Sequence, residues 1–168
     1  ALSMTRTNAG RTLLELSRTD THHCGLLLVF LRHAGCAFCR ETLADLAKHR
    51  KPIEGAHARI VLVHMAPSDS DAATFFARYG LGDLQRVADP SQALYRAFEL
   101  DRATRAQLFS PRTIVRAILA TIRHGAGGRE GDVLQMPGAF LVRDGVVVRA
   151  HRHATPADRP DYRALASP

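Results

Sequence analysis

The run "GLLLVFLRH", Gly25 to His33, limits what this chain can become more than any other stretch of it. Its apolar centre, Leu26 to Leu31, is far shorter than the roughly 20 residues that cross a bilayer. A segment this short and apolar at every position reads as a strand buried on both faces, so other elements must cover it. A second run of the same kind, "ARIVLVHMA" (Ala58 to Ala66), follows. Between them "FCRETLADLAKHRK" sets Phe38, Leu43, Leu46 and Ala47 on or near one helical face. Pro52 and Gly55 are expected to close that helix.

Weaker signals complete the order. "RTLLELSR" (Arg11 to Arg18) is a short helix candidate with apolar residues at 13, 14 and 16. Ser68 suits an N-cap, with Asp69 and Asp71 in the first turn of a helix that ends near Tyr79 and Gly80. "QRVADP" reads as a short strand, and Pro90 as the entrance to a short helix in "PSQALYRAF". Phe98 to His124 is mostly helical in pattern, broken at Ser110 and Pro111. "HGAGGREGD" is a glycine-rich loop without the Gly-Lys-Ser/Thr ending or the preceding strand of a phosphate loop. In "GAFLVRDGVVVRAHRH" two strand-like runs flank Asp144-Gly145, which specifies a type I′ hairpin. A last short helix falls in "TPADRPDYRALA". Together these imply an α/β fold: a central mixed sheet with helices on both faces, then a C-terminal hairpin and helix. The 168 residues suit a single domain, 1–168.

Net charge is +7, with Arg96, Arg102, Arg105, Arg112, Arg116, Arg123 and Arg129 in the second half. Such a distribution is either a solvated helical face or an attraction to an anionic partner. Aromatic content is 6% and no basic-aromatic interleaving occurs, so a nucleic-acid partner is not expected. No stretch is long enough to span a bilayer, and no membrane partner is expected. "ALSMTRTNAG" lacks the layout of a secretory signal. Three cysteines are too few, and odd in number, for a disulfide scaffold. A cytoplasmic, reducing location is expected, where a close cysteine pair is catalytic or metal-binding more often than structural.

That pair is Cys36-Ala-Phe-Cys39, within "RHAGCAFCRE". Cys36 falls after the first buried strand, where a helix begins. Unpaired backbone N–H groups and the helix dipole lower the pKa of a thiol there, and the thiolate is the nucleophile. Cys39 lies about one turn on and can attack a mixed disulfide formed at Cys36. The pair could also be two small buried hydrophobes, or part of a metal site. A structural zinc usually needs four ligands, and there is no second cysteine pair. His33 extends the motif to H-x-x-C-x-x-C but reads as the last residue of the strand, and no metal is expected. Cys24 is either an inert strand-edge cysteine or a third redox partner. Met136-Pro137 stands just before the hairpin. Pro137 is either an ordinary strand-starting proline, or a cis proline forming a backbone shelf beside the cysteines.

The combination of "LLLVFLRHAGCAFCRE", "VADPSQALYRAF" and "GDVLQMPGAFLVRDGVVVRAH" resembles the thioredoxin-like superfamily. It is most similar to peroxiredoxin-like proteins of the AhpC/TSA group, including selenoprotein-L-like members, over about residues 11 to 165. The resemblance implies a thioredoxin-like fold and a thiol-dependent oxidoreductase that reduces peroxides or disulfides. By position, Cys36 resembles the attacking thiol, Cys39 the resolving thiol and Pro137 the cis proline abutting the pair. Arg40 is similar to the arginine of C-x-x-C-R members, which stabilises thiolate charge. An external thiol system of thioredoxin or glutathione type would re-reduce the pair, and no cofactor is implied. The chain departs from true peroxiredoxins, whose Thr-x-x-Cys would set Cys36 at the threonine and Cys39 at the peroxide-attacking position. Their arginine before the late strand is replaced by Pro137. The Trp-Cys-Gly-Pro-Cys of thioredoxins is absent, since the chain has no tryptophan. The alternative is a non-catalytic thioredoxin-fold module that uses the cysteines for redox sensing or metal contact.

Overall fold

The apolar runs lie side by side at the centre of the molecule, as their composition requires. The computed structural model describes residues 1–19, 22–23, 25–33, 36–104, 107, 111–125, 127 and 132–167, apart from the side chain of Arg112. Five strands form one sheet: β1 (Gly25–Phe30), β2 (Ala58–His64), β3 (Gln85–Ala88), β4 (Gly138–Arg143) and β5 (Val146–Arg152). Their order is β3-β2-β1-β4-β5. β1 to β3 run parallel, while β4 and β5 run antiparallel, with Phe30 opposite Gly138. β1 is buried at every residue because it has a neighbour on each edge and a layer on each face. The helices are α1 (Leu13–Ser17), α2 (Ala37–Gly55), α3 (Asp69–Ala77), α4 (Ala93–Ala97), α5 (Pro111–His124) and α6 (Tyr162–Ala166).

Strand periodicity divides the core in two. Leu27, Val29, Ile60, Leu62, Ala139 and Leu141 face α2, α3 and α6, where they meet Cys36, Cys39, Leu43, Leu46, Phe76 and Tyr162. Leu26, Leu28, Phe30, Val61, Val63 and Phe140 face α1 and α4, against Leu13, Leu16, Leu94, Tyr95 and Phe98. Phe98 and Phe140 meet with ring centroids 4.8 Å apart. Tyr95, the largest fully buried side chain, donates its hydroxyl to the Leu31 and Val63 carbonyls, the latter at 3.2 Å. It thereby ties the ends of β1 and β2 together from the face opposite the cysteines.

Local signals hold at most element ends. Thr12 and Glu15 form a capping box on α1. Ser68 caps α3 through the Asp71 amide, and the Asp69 carboxylate pairs with Arg86 of β3 at 2.7 Å. Asp144 (φ 48°) and Gly145 (φ 82°) are both left-handed, as a type I′ turn requires. Three expectations need correction. α2 ends at Gly55 as expected, but Pro52 lies inside its last turn and does not break it, because a proline there forfeits one bond while the Ala56 amide still bonds its carbonyl at 3.0 Å. α4 begins at Ala93, not at Pro90, because the Asp89 carboxylate accepts from the Ala93 and Leu94 amides and sets the start there. Residues 99–104 are not helical: Ala103 donates to Leu134 and Met136 to Asp101, an extended exchange that leads into β4. Ser110 and most of the glycine-rich loop lie outside the described residues.

Candidate active site

Cys36 is the N-cap of α2, in extended conformation (φ −78°, ψ 120°), and its carbonyl accepts the first helical bond from Arg40 at 3.1 Å. Cys39 follows in the first turn. Both thiols are free and nearly inaccessible, at 7% and 3% exposure. The chain leaving the central strand also delivers Arg32, itself buried. Its backbone N–H donates to Cys39 Sγ at 3.2 Å, and its Nη1 stands 3.6 Å from Cys36 Sγ. Its Nη2 donates to the carbonyl of Val133, in the segment that leads to Met136-Pro137. One arginine thus touches both cysteines and the segment opposite them.

The two sulfurs are electrostatically unequal. The Cys36 pKa is lowered to about 6, first by the hydrogen bond that the Cys39 thiol donates to its sulfur, then by the Arg32 guanidinium. The Phe38 and Cys39 amides at the helix start lower it further, though the sulfur closes no capping hydrogen bond. Burial opposes these effects and is outweighed. Burial pushes the Cys39 thiol well above its ordinary value, and the charge on Cys36 adds to the rise. The first proton therefore leaves the pair from Cys36, while Cys39 stays a thiol.

A cavity of about 50 Å³ lies beside Cys39, lined by Arg32, His33, His64, Met65, Phe75 and Phe76 among others. At one to a few water volumes it takes only small molecules. His64, at the end of β2, is buried there with neither ring nitrogen hydrogen-bonded, its nearest carboxylate being Asp69 at 3.6 Å. Burial lowers its pKa, so the ring is neutral at neutral pH.

The remaining sequence candidates fall as follows. Pro137 is buried and immediately precedes Gly138, which pairs with Phe30, so antiparallel register brings it across from Leu31, next to Arg32. No peptide bond among the described residues is cis, so Met136-Pro137 is trans. The cis proline that the resemblance implies is corrected to the other reading, a proline that leads directly into β4, with the Met136 amide bonded on one side and the Pro137 carbonyl accepting from His153 at 3.4 Å on the other. Arg40 donates to the His124 carbonyl at 3.2 Å and lies 5.6 Å from the Phe75 ring centroid, so it joins α2 to α5 and α3. The guanidinium beside Cys36 belongs instead to Arg32. Cys24 lies outside the described residues. Among the described residues no three His, Cys, Asp or Glu side chains are grouped to hold a metal ion.

Sequence reasoning passed over Arg32 and His64. The available signal for Arg32 was an arginine ending an apolar run four residues before Cys36. His64 offered less, since a histidine closing a buried strand has many ordinary explanations. Around the site, Glu41 accepts from Arg116 at 2.9 Å, and Asp45 pairs with Arg159, so buried carboxylates of α2 are matched by cations from α5 and the C-terminal segment.

A family profile described as AhpC/TSA antioxidant enzyme matches residues 27–155. Among solved structures the chain is similar to Xanthomonas campestris peroxiredoxin Q, at 20% identity and a TM-score of 0.60, covering 91% of this chain and 81% of that one. Mycobacterium tuberculosis peroxidoxin BcpB matches at 16% identity and TM-score 0.56, covering 88% and 79%. A thiol:disulfide interchange protein, DsbE, of Chlorobium tepidum matches at 16% identity and TM-score 0.54, covering 88% and 77%. These structures share the thioredoxin-like fold of the chain. No curated protein matches it.

Proposed function

The chain belongs to the AhpC/TSA antioxidant enzyme family, whose members are thiol-dependent oxidoreductases, and from that premise we propose that it reduces small peroxides through the Cys36–Cys39 couple. The observation that carries this reading is a nearly buried, low-pKa sulfur at the N-cap of α2, flanked by Arg32 and a neutral second thiol. At 7% exposure, Cys36 suits an oxidant of a few atoms better than a protein disulfide.

The Cys36 thiolate attacks one peroxide oxygen. A sulfur–oxygen bond forms, the oxygen–oxygen bond breaks, and the departing oxygen takes a proton to leave as alcohol or water. Arg32 Nη1, beside the sulfur, faces the charge that moves onto the oxygens. Cys39 then gives up its proton and attacks the Cys36 sulfenic acid, releasing water and forming the Cys36–Cys39 disulfide. An external thiol reductant, one thioredoxin-type dithiol or two glutathione-type thiols, returns two electrons and two protons. Pro137, across from the residue before Arg32, bounds the pair on the β4 side. Arg40 is a positioning residue that holds the first turn of α2 through His124 and Phe75.

The test is peroxide consumption coupled to a dithiol, with the protein's mass followed for loss of two hydrogens. Turnover with hydrogen peroxide, and a disulfide that needs both cysteines, is expected. Turnover of small disulfides but not of peroxide would shift the substrate to disulfides. No turnover with either, with both thiols slow to alkylate, would leave the non-catalytic module.

A further inference from the structure

Helix α5 wears its apolar side outward. Positions 114, 115, 118, 119 and 122 share one helical stripe. Ile114, Val115, Ile118, Leu119 and Ile122 are 44%, 57%, 55%, 44% and 76% exposed. The stripe that faces the protein is small or polar: Thr113 and Ala120 are buried, and Arg116 pairs with Glu41 of α2. An ordinary surface helix buries the opposite side. Single exposed apolar residues need no explanation, but a continuous stripe along one helix does.

Charge narrows what can cover it. "PRTIVRAILATIRH" contains three arginines, one histidine and no carboxylate. Position 123 lies on the flank beside the stripe, and Arg123 is exposed. The whole chain carries +7. A second copy docked on this face would bring like-charged helices together. A helix of about 21 Å cannot span a bilayer, but it can lie along one. Outward apolar residues with a cationic flank match an interfacial helix. The sequence reading expected no membrane partner because it weighed spanning length alone. Only the packing of α5 on α2 reveals which stripe is left outside.

We infer that α5 seats this protein on an anionic lipid surface, with the Ile118–Ile122 stripe among the acyl chains and the flanking arginine at the headgroup phosphates. The experiment is co-sedimentation of the full chain with vesicles of phosphatidylcholine alone or mixed with phosphatidylglycerol, alongside light scattering. Retention on the anionic vesicles is expected, at least about tenfold weaker on neutral ones and weakened by salt. Ile118→Glu with Ile122→Glu should lower retention at least about tenfold while circular dichroism and peroxide turnover stay unchanged. Arg123→Glu should weaken anionic binding and leave the stripe intact. The inference is overturned if the wild-type chain is not retained, or if the double variant is retained equally. It is also overturned if the wild type forms a concentration-dependent dimer that the double variant loses, which gives the stripe to a second copy.

Discussion

Arg32 holds its Nη1 3.6 Å from the sulfur of Cys36. Both groups are buried, so their attraction is weakly screened and the thiolate state is favoured. Arg32→Met, which keeps length and removes charge, should raise the pH midpoint of Cys36 alkylation by about one pH unit. Peroxide turnover should fall about tenfold, because the same guanidinium faces the charge developing on oxygen. Thiol-specific alkylation followed by mass spectrometry across pH checks the first expectation, and the coupled assay checks the second. An unmoved midpoint would remove Arg32 from the electrostatics of the site.

The pH dependence has a fixed sign. Cys36 reacts as thiolate and has its pKa lowered to about 6. Its alkylation rate should therefore be flat above about pH 7 and fall about tenfold per pH unit well below 6. A profile still rising between pH 8 and 9 would show an ordinary thiol.

The cysteines should differ on substitution. Cys36→Ser should abolish turnover. Cys39→Ser should leave one oxidation per chain and trap a mixed disulfide at Cys36 when a thiol is added. The largest cause of the lowered Cys36 pKa is the hydrogen bond from Cys39. Cys39→Ala should therefore raise the Cys36 midpoint more than Cys39→Ser, which keeps a donor. If Cys36→Ser consumes peroxide once per chain while Cys39→Ser is inert, the two roles are exchanged.

Tyr95→Phe removes the hydroxyl that bonds the Leu31 and Val63 carbonyls. Two buried acceptors lose a partner, so urea unfolding should show a loss of about 1–3 kcal/mol. The Cys36 alkylation midpoint should change little. A stability unchanged within error would mean that the hydroxyl contributes nothing net.

Pro137→Ala should raise KM for the reducing dithiol more than it lowers Tm, because Pro137 borders the pair and donates no ladder bond. Steady-state kinetics with varied dithiol, beside a thermal melt, separates the two effects. A large drop in Tm with KM unchanged would make Pro137 a strand-starting residue and nothing more.

Much of this architecture was legible because its signals are local. Leu26 to Leu31 had to be a buried strand, Ser68 capped the helix it preceded, and Asp144-Gly145 turned the hairpin. Cys36 fell at the helix start because strand and helix patterns met there. What could not be read was set by distant partners. Arg32 drew no reading from the sequence, because its contact with Val133, 101 positions away, is what holds it inward over the cysteines. Residues 99–104 carry a helical pattern, but bonds to Leu134 and Met136 draw them out straight. In α5 only a helical pattern was read; which way its apolar stripe faces depends on Glu41 and the small residues that let α2 approach.

The middle position of β1 sets where the proposed Cys36–Cys39 couple would have room to adjust. That strand is clamped by a neighbour along each edge, so the segment leaving it has a stationary root. Cys39 rides on the opening coil of α2, whose amides are the ones not yet locked into a ladder. Formation of the proposed Cys36–Cys39 disulfide would therefore act on the helix entrance and not on the sheet, and Arg40, which donates to the His124 carbonyl from that entrance, links it to α5.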